Sequence, residues 1–150
     1  MINAKAETLL EKPPFSKLIE SKRCVILADS FYEWKRLDNQ KIPYRISIKN
    51  QKVFSIAGLR SAYQKPDGSI LHTVAIITTQ ANPFMQEIHE RMPVILTKET
   101  EKIWLNLNNK DISQILSCLN PYDNQQMSSY KVSSYVNSSL HDDENCIKRV

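Results

Sequence analysis

Glu33 stands between Tyr32 and Trp34 in the run Phe31-Tyr32-Glu33-Trp34. On a strand its side chain points away from both aromatics, because successive side chains alternate faces. A carboxyl group shielded from water there has its pKa raised and works as a general acid or base near neutrality. A solvated glutamate gives the same spacing. His89 lies beside Glu90 and Arg91, on the helical segment that Asn82-Pro83 opens. An imidazole there exchanges protons near neutral pH, and an exposed helix histidine gives the same pattern. Arg91 suits either a helix C-terminus or a phosphate. Asn3, Lys5 and Glu7 recur at every second position, so on a strand they share one face. Trp34 fits a base-stacking platform or a core.

Other chemistries find little support. His72, His89 and His141 lack HExxH or similar local spacing, so neither a metal nor another cofactor is expected. No GxSxG nucleophile elbow is present. Cys24, Cys118 and Cys146 are odd in number and far apart, with no CxxC pair. Cys24 sits in an apolar run and reads as a core thiol.

The elements that must position these residues are legible in the pattern. Cys24–Ala28 is a short apolar run, a buried strand. Ser30–Lys35 alternates, and Asp38-Asn39-Gln40 turns the chain. Tyr44, Ile46 and Ile48 alternate with Arg45, Ser47 and Lys49, as in a half-buried antiparallel strand. Val53–Leu59 and His72–Thr79 are further strands, separated by the turn signal Lys65-Pro66-Asp67-Gly68. Asn82 caps a helix with Pro83 at its first position, carrying Phe84, Met85, Ile88 and His89. Met92–Leu96 reads as one strand. Thr97 caps a helix bearing Ile103, Trp104 and Leu107. Asp111 caps another, with Ile112, Ile115, Leu116 and Leu119 inward. A last strand is expected around Tyr130–Val136. Strands dominate early and helices late, which is an α+β arrangement.

The chain has 150 residues, 41% hydrophobic and 24% charged. That is one domain's length, enough to bury roughly 70% of the unfolded surface, and the composition excludes a disordered chain. Two glycines exclude GxGxxG and Walker loops. No apolar run approaches the roughly 20 residues of a membrane helix, and Met1–Lys12 has no signal-peptide core, so a cytoplasmic protein is expected. The net charge of +4 is mild. It is compatible with a polyanionic partner without demanding one.

Taken together, several strings resemble successive motifs of the SOS-response-associated peptidase (SRAP) family of abasic-site processing proteins. They are Asn3-Ala4-Lys5-Ala6-Glu7-Thr8, Arg23 to Trp34, Ala57-Gly58-Leu59, Thr78 to Asn82, Ile88-His89-Glu90-Arg91-Met92-Pro93-Val94-Ile95-Leu96 and Val136-Asn137-Ser138. Order and spacing match across essentially the whole chain. The resemblance implies a single α+β domain over 1–150, with a mixed or antiparallel β-barrel-like core, a few peripheral helices and a cleft for single-stranded DNA. Its activity would be of peptidase or lyase type. An N-terminal cysteine, exposed by removal of the initiator Met, closes on the abasic-site aldehyde as a thiazolidine. Carried over by position, Asn3 orients the cysteine amine, Glu33 shuttles protons and His89 holds the sugar oxygen. Lys5 and Arg91 grip phosphates, Trp34 stacks at the lesion and Thr78 lines the site.

This sequence departs from the family pattern. The family begins Met-Cys-Gly-Arg and places a further segment before its Asn-Ala-Arg motif, whereas here the motif opens the chain. Ile2 is bulky and should leave Met1 in place, and Lys5 replaces an arginine, losing bidentate geometry. The expectation is an N-terminally incomplete member, bacterial or prophage-encoded, that forms no crosslink by itself. The alternatives are a non-catalytic binder of single-stranded or damaged DNA, and a fragment that completes its fold with a partner chain, such as the missing segment.

Overall fold

Alternating residues need backbone partners, and in a computed structural model describing residues 3–13 and 15–150 they find them in two sheets. The expectation about Met1 and Ile2 lies outside the described residues, as does Pro14. The α+β class holds, with mostly antiparallel pairing and short helices. The chain divides into two compact units, 1–27, 55–80 and 93–122 in the first and 28–54, 81–92 and 123–150 in the second.

The first unit is built on β1 (Asn3–Lys5), β2 (Arg23–Ala28), β5 (Phe54–Gln64) and β6 (Ile70–Gln80), in the order β1-β6-β5-β2. β1 runs parallel to β6, with Asn3 opposite Ile76 and Lys5 opposite Thr78. The β5–β6 hairpin turns at Pro66–Gly68, where Gly68 takes φ 84°. Ala4, Ala57, Leu59, Ala75, Ile77 and Trp104 lie in one buried cluster. Phe15 of α1 (Phe15–Leu18), Trp104 of α3 (Lys98–Leu105) and Ile115 of α4 (Ile112–Leu116) belong to the same cluster. Helix ends leave carbonyls without partners. Arg23, 2% exposed, satisfies several at once, donating to Ile19, Trp104 and Asn106 carbonyls.

Gly58 faces Ile26 and Val74 across this sheet. A Cβ there would lie 2.5 Å from Ile26 Cδ1 and 3.2 Å from both Val74 Cγ1 and the Ala75 carbonyl oxygen. Gly58→Ala is therefore expected to lower stability by about 1–3 kcal/mol, since overpacking forces side chains off their rotamers. Chemical denaturation measures this. An unchanged midpoint would mean that Ile26 swings aside freely.

The second unit holds β3 (Phe31–Leu37), β4 (Gln40–Ile48) and β9 (Met127–Lys131), antiparallel in the order β3-β4-β9. Asp38 and Asn39 make the β3–β4 turn, with Asp38 at φ 51°, a conformation that Asp tolerates. Ile46, Ile48, Met85, Met92 and Met127 are buried, and Phe31 packs edge-on to Phe54 at 6.4 Å. The C-terminal segment is tied to this sheet. Val132 bridges to Arg149, whose guanidinium lies 5.0 Å from the Tyr130 ring centre.

Four expectations need correction. Glu7 is not on a strand with Asn3 and Lys5. The chain enters a 3-10 turn at Ala6, and Glu7 accepts from the Gln80 N–H. The helix capped by Asn82 is one turn long, α2 (Pro83–Gln86), so Ile88 and His89 lie beyond it. The strand expected over 92–96 is two, β7 (Arg91–Pro93) and β8 (Ile95–Leu96), because Val94 bonds both ways. Its N–H donates to Ile77 and its carbonyl accepts from Ala57. The last strand starts at Met127, where β4 offers Ile48 as partner, and ends at Lys131.

Candidate functional site

The site grows from the β3–β4 hairpin. Antiparallel register sets Glu33 opposite Tyr44, Trp34 opposite Pro43 and Arg36 opposite Lys41. Glu33 therefore points to one face, and Trp34, Arg36 and Lys41 to the other. β3 is the edge of its three-stranded sheet, so a cavity beside it is reached from both faces. Such a cavity, about 430 Å³, is lined by Glu33, Trp34, Arg36, Lys41, His89 and Asn137. A neighbouring one of about 400 Å³ shares Trp34, Arg36 and His89 and adds Lys35, Glu87 and Glu90.

Local chemistry fixes each side chain. Trp34 Nε1–H donates to Asn137 Oδ1 at 2.7 Å. Asn137 ends a 3-10 turn, Ser134–Asn137, which starts where Ser133 Oγ accepts from the Tyr135 N–H. Asn82 Oδ1 caps α2 by accepting from the Met85 N–H at 2.9 Å. The Ile88 and His89 N–H groups then bond back to the Met85 carbonyl, closing the turn that presents His89. The Arg91 N–H donates to His89 Nδ1 at 3.1 Å. Nδ1 also lies 3.2 Å from the Arg91 carbonyl oxygen, so both backbone groups of Arg91 hold that edge of the ring and leave Nε2 to the cavity side.

Burial pushes the Glu33 carboxyl above the usual glutamate range. The charge of His89 and the backbone N–H of Trp34 pull it partly back. A carboxyl so placed holds its proton closer to neutral pH and can deliver it. Among the described residues, no group of three or more His, Cys, Asp or Glu could hold a metal.

The remaining sequence-predicted residues fall as follows. Arg91 begins β7, two residues from His89. Asn3, Lys5 and Thr78 belong to the first unit. Asn3 and Lys5 are exposed while Ala4 between them is buried, and Lys5 pairs with Thr78. Thr78 Oγ1 donates to the Ala4 carbonyl at 3.5 Å. The structure thus brings Glu33, Trp34 and His89 to one cavity, and Asn3, Lys5 and Thr78 to one sheet face. Sequence reasoning missed Arg36, Lys41 and Asn137 as lining residues. The sequence places the turn over Asp38-Asn39-Gln40, whereas the two-residue turn at Asp38-Asn39 is what pairs Arg36 with Lys41. Asn137 has no signal in the spacing.

Fold and site together define a mixed α+β protein with a cavity at a sheet edge, lined by a carboxyl, an imidazole and an indole. The chain belongs to the family described as SOS response associated peptidase (SRAP), which matches residues 1–139. It is 57% identical over 139 residues to abasic site processing protein YoqW of Bacillus subtilis, covering 92% of this chain and 62% of that one. To abasic site processing protein YobE of the same organism it is 54% identical, covering 92% and 64%. A crystal structure of a protein from Bacteroides thetaiotaomicron superposes with a TM-score of 0.91 at 35% identity, covering 99% of this chain and 65% of that one. This chain thus spans a little over six-tenths of these Bacillus relatives. Among the described residues, no helix is long and apolar enough to cross a membrane.

Proposed function

We propose that this chain carries the proton-transfer and strand-gripping part of an abasic-site processing protein acting on single-stranded DNA. The observation that carries the reading is the half-buried Glu33 carboxyl in one cavity with His89 and Trp34. Family membership and the names of the Bacillus relatives support it.

An abasic site presents an aldehyde once its sugar ring opens. Capture needs an amine, a thiol and a proton donor for the departing hydroxyl. The amine adds to the aldehyde carbon, and the carbinolamine loses its hydroxyl as water with a proton from Glu33. The thiol sulfur then adds to the C=N carbon, and its proton returns to the base. One C–N and one C–S bond form, and one water leaves. His89 donates Nε2–H to the sugar oxygen, Trp34 stacks beside the lesion and Arg91 holds a phosphate. The family resemblance gives Asn3 the amine, and Lys5 and Thr78 the strand.

Cys24, Cys118 and Cys146 each have an amide for their nitrogen, so none offers the amine–thiol pair. Burial also pushes the Cys24 and Cys118 thiols up, away from the reactive thiolate. The pair therefore comes from a polypeptide that begins with cysteine.

The test joins the family's cysteine-initiated segment upstream of this chain. Mixed with single-stranded DNA carrying one abasic site, the fusion is expected to give an adduct that survives heat and denaturant. Undamaged DNA should give none. Absence of an adduct from a folded fusion would overturn the reading.

A further inference from the structure

We propose that the β3–β4 hairpin is itself a nucleotide seat: Arg36 and Lys41 hold one phosphodiester of single-stranded DNA, and the adjoining base stacks on Trp34. This rests on the reading of the chain as a protein of single-stranded DNA and says where the strand lies.

The first support is the register. Arg36 and Lys41 are cross-strand partners, so two cations face each other on one sheet face. Like charges directly opposite repel and destabilise a hairpin. Both side chains are exposed, and among the described residues neither has an ion-pair partner. The tip carries Lys35, Arg36 and Lys41 against the single carboxylate of Asp38. An anion between Arg36 and Lys41 removes the repulsion. A phosphodiester suits a guanidinium fork beside an ammonium.

The second support is Trp34. It shares the face of Arg36, two residues away, and both line the same cavity. Its indole is tethered to Asn137 Oδ1, which holds the ring in one orientation before any base arrives. Preorganisation of that kind lowers the entropy lost on binding. Every base has a flat face, so such a platform tolerates any sequence.

Charge also gives the strand a side. In the neighbouring cavity Glu87 and Glu90 stand with Lys35 and Arg36, so the charges there offset. On the Arg36–Lys41 face the two cations have no such counter-charge among the described residues, and the backbone is expected to run over that face.

The experiment uses the chain as it is, with undamaged single-stranded oligothymidylate and fluorescence anisotropy across a salt series. Log affinity against log salt has a slope of roughly −0.7 per phosphate neutralised on a single strand. The double variant Arg36→Ala, Lys41→Ala is expected to flatten the slope by about 0.7. Lys98→Ala with Lys102→Ala, on α3, should leave it unchanged. Trp34→Ala should weaken binding roughly 5- to 100-fold and leave the slope alone, because stacking releases no counterions. All of these side chains except Trp34 are exposed, so circular dichroism of the charge variants should match the parent. If the parent binds and the hairpin variant keeps its slope, the seat is wrong and the functional reading stands. If the parent binds no single-stranded DNA, both fall.

Discussion

Glu33→Gln, made in the cysteine-initiated fusion, is expected to slow crosslinking to an abasic site by about 10²–10⁴-fold, the usual contribution of a positioned acid or base. Glutamine keeps the size and one acceptor but has no titrating proton. Binding of undamaged DNA should hardly change, so the loss falls on the chemical step. The pH profile adds a second reading. Burial raises the Glu33 pKa above its unfolded value. The folded state therefore binds more protons than the unfolded one between those two values. The stability contribution of this carboxyl is fully present below the unfolded pKa and is lost as pH rises through the folded one. Glu33→Gln should thus melt at a higher temperature than the parent near neutrality, with the gap closing in acid. A fusion variant that crosslinks as fast as its parent would make Glu33 a spectator.

The largest stability effect is expected at Trp104. Its side chain is fully buried in the first unit, and its Nε1–H donates to the Cys24 carbonyl at 2.8 Å. The Arg23 guanidinium lies 5.8 Å from the ring centre and bonds the Trp104 carbonyl at 2.7 Å. Trp104→Ala empties a large volume that the sheet and helices cannot fill, at a cost of about 3–5 kcal/mol. It also leaves the Cys24 carbonyl without its donor, which adds roughly 1–3 kcal/mol. Domains have only about 5–15 kcal/mol of stability in total. Amide exchange over β5 and β6 should therefore accelerate steeply in the variant. Trp104→Phe refills most of the volume and should lose far less. Equal losses from both would show that the ring's hydrogen bond, not its bulk, matters most.

The strands around the site were readable because their alternation is undisturbed. Glu33 and Trp34 sit on opposite faces of β3, as period-two spacing requires. The caps at Asn82, Thr97 and Asp111 were readable because each side chain meets a backbone N–H three residues on. Helix length was not. After Asn82-Pro83 the apolar spacing continues to Ile88, yet α2 closes after one turn, with Ile88 and His89 bonding back to Met85. The last strand was misplaced because β4, not local propensity, sets where β9 begins. Within the site, the cavity shared by Glu33 and His89 was expected only through the family resemblance. Arg36 and Lys41 were overlooked because exposed cations look alike in sequence until a hairpin register pairs them.

The chain has two tryptophans, and they divide between the two units. Trp104 is sealed in the first, whereas Trp34 lies half-buried at the cavity of the second, its indole N–H on Asn137. Each unit therefore carries its own native emitter. The sealed indole emits toward the blue and shifts red only when the first unit opens. The tethered one is within reach of dissolved quenchers and of a stacking base. Trp34→Phe and Trp104→Phe then give two single-emitter proteins, in which ligand arrival and unit unfolding are followed separately by colour and without any attached dye.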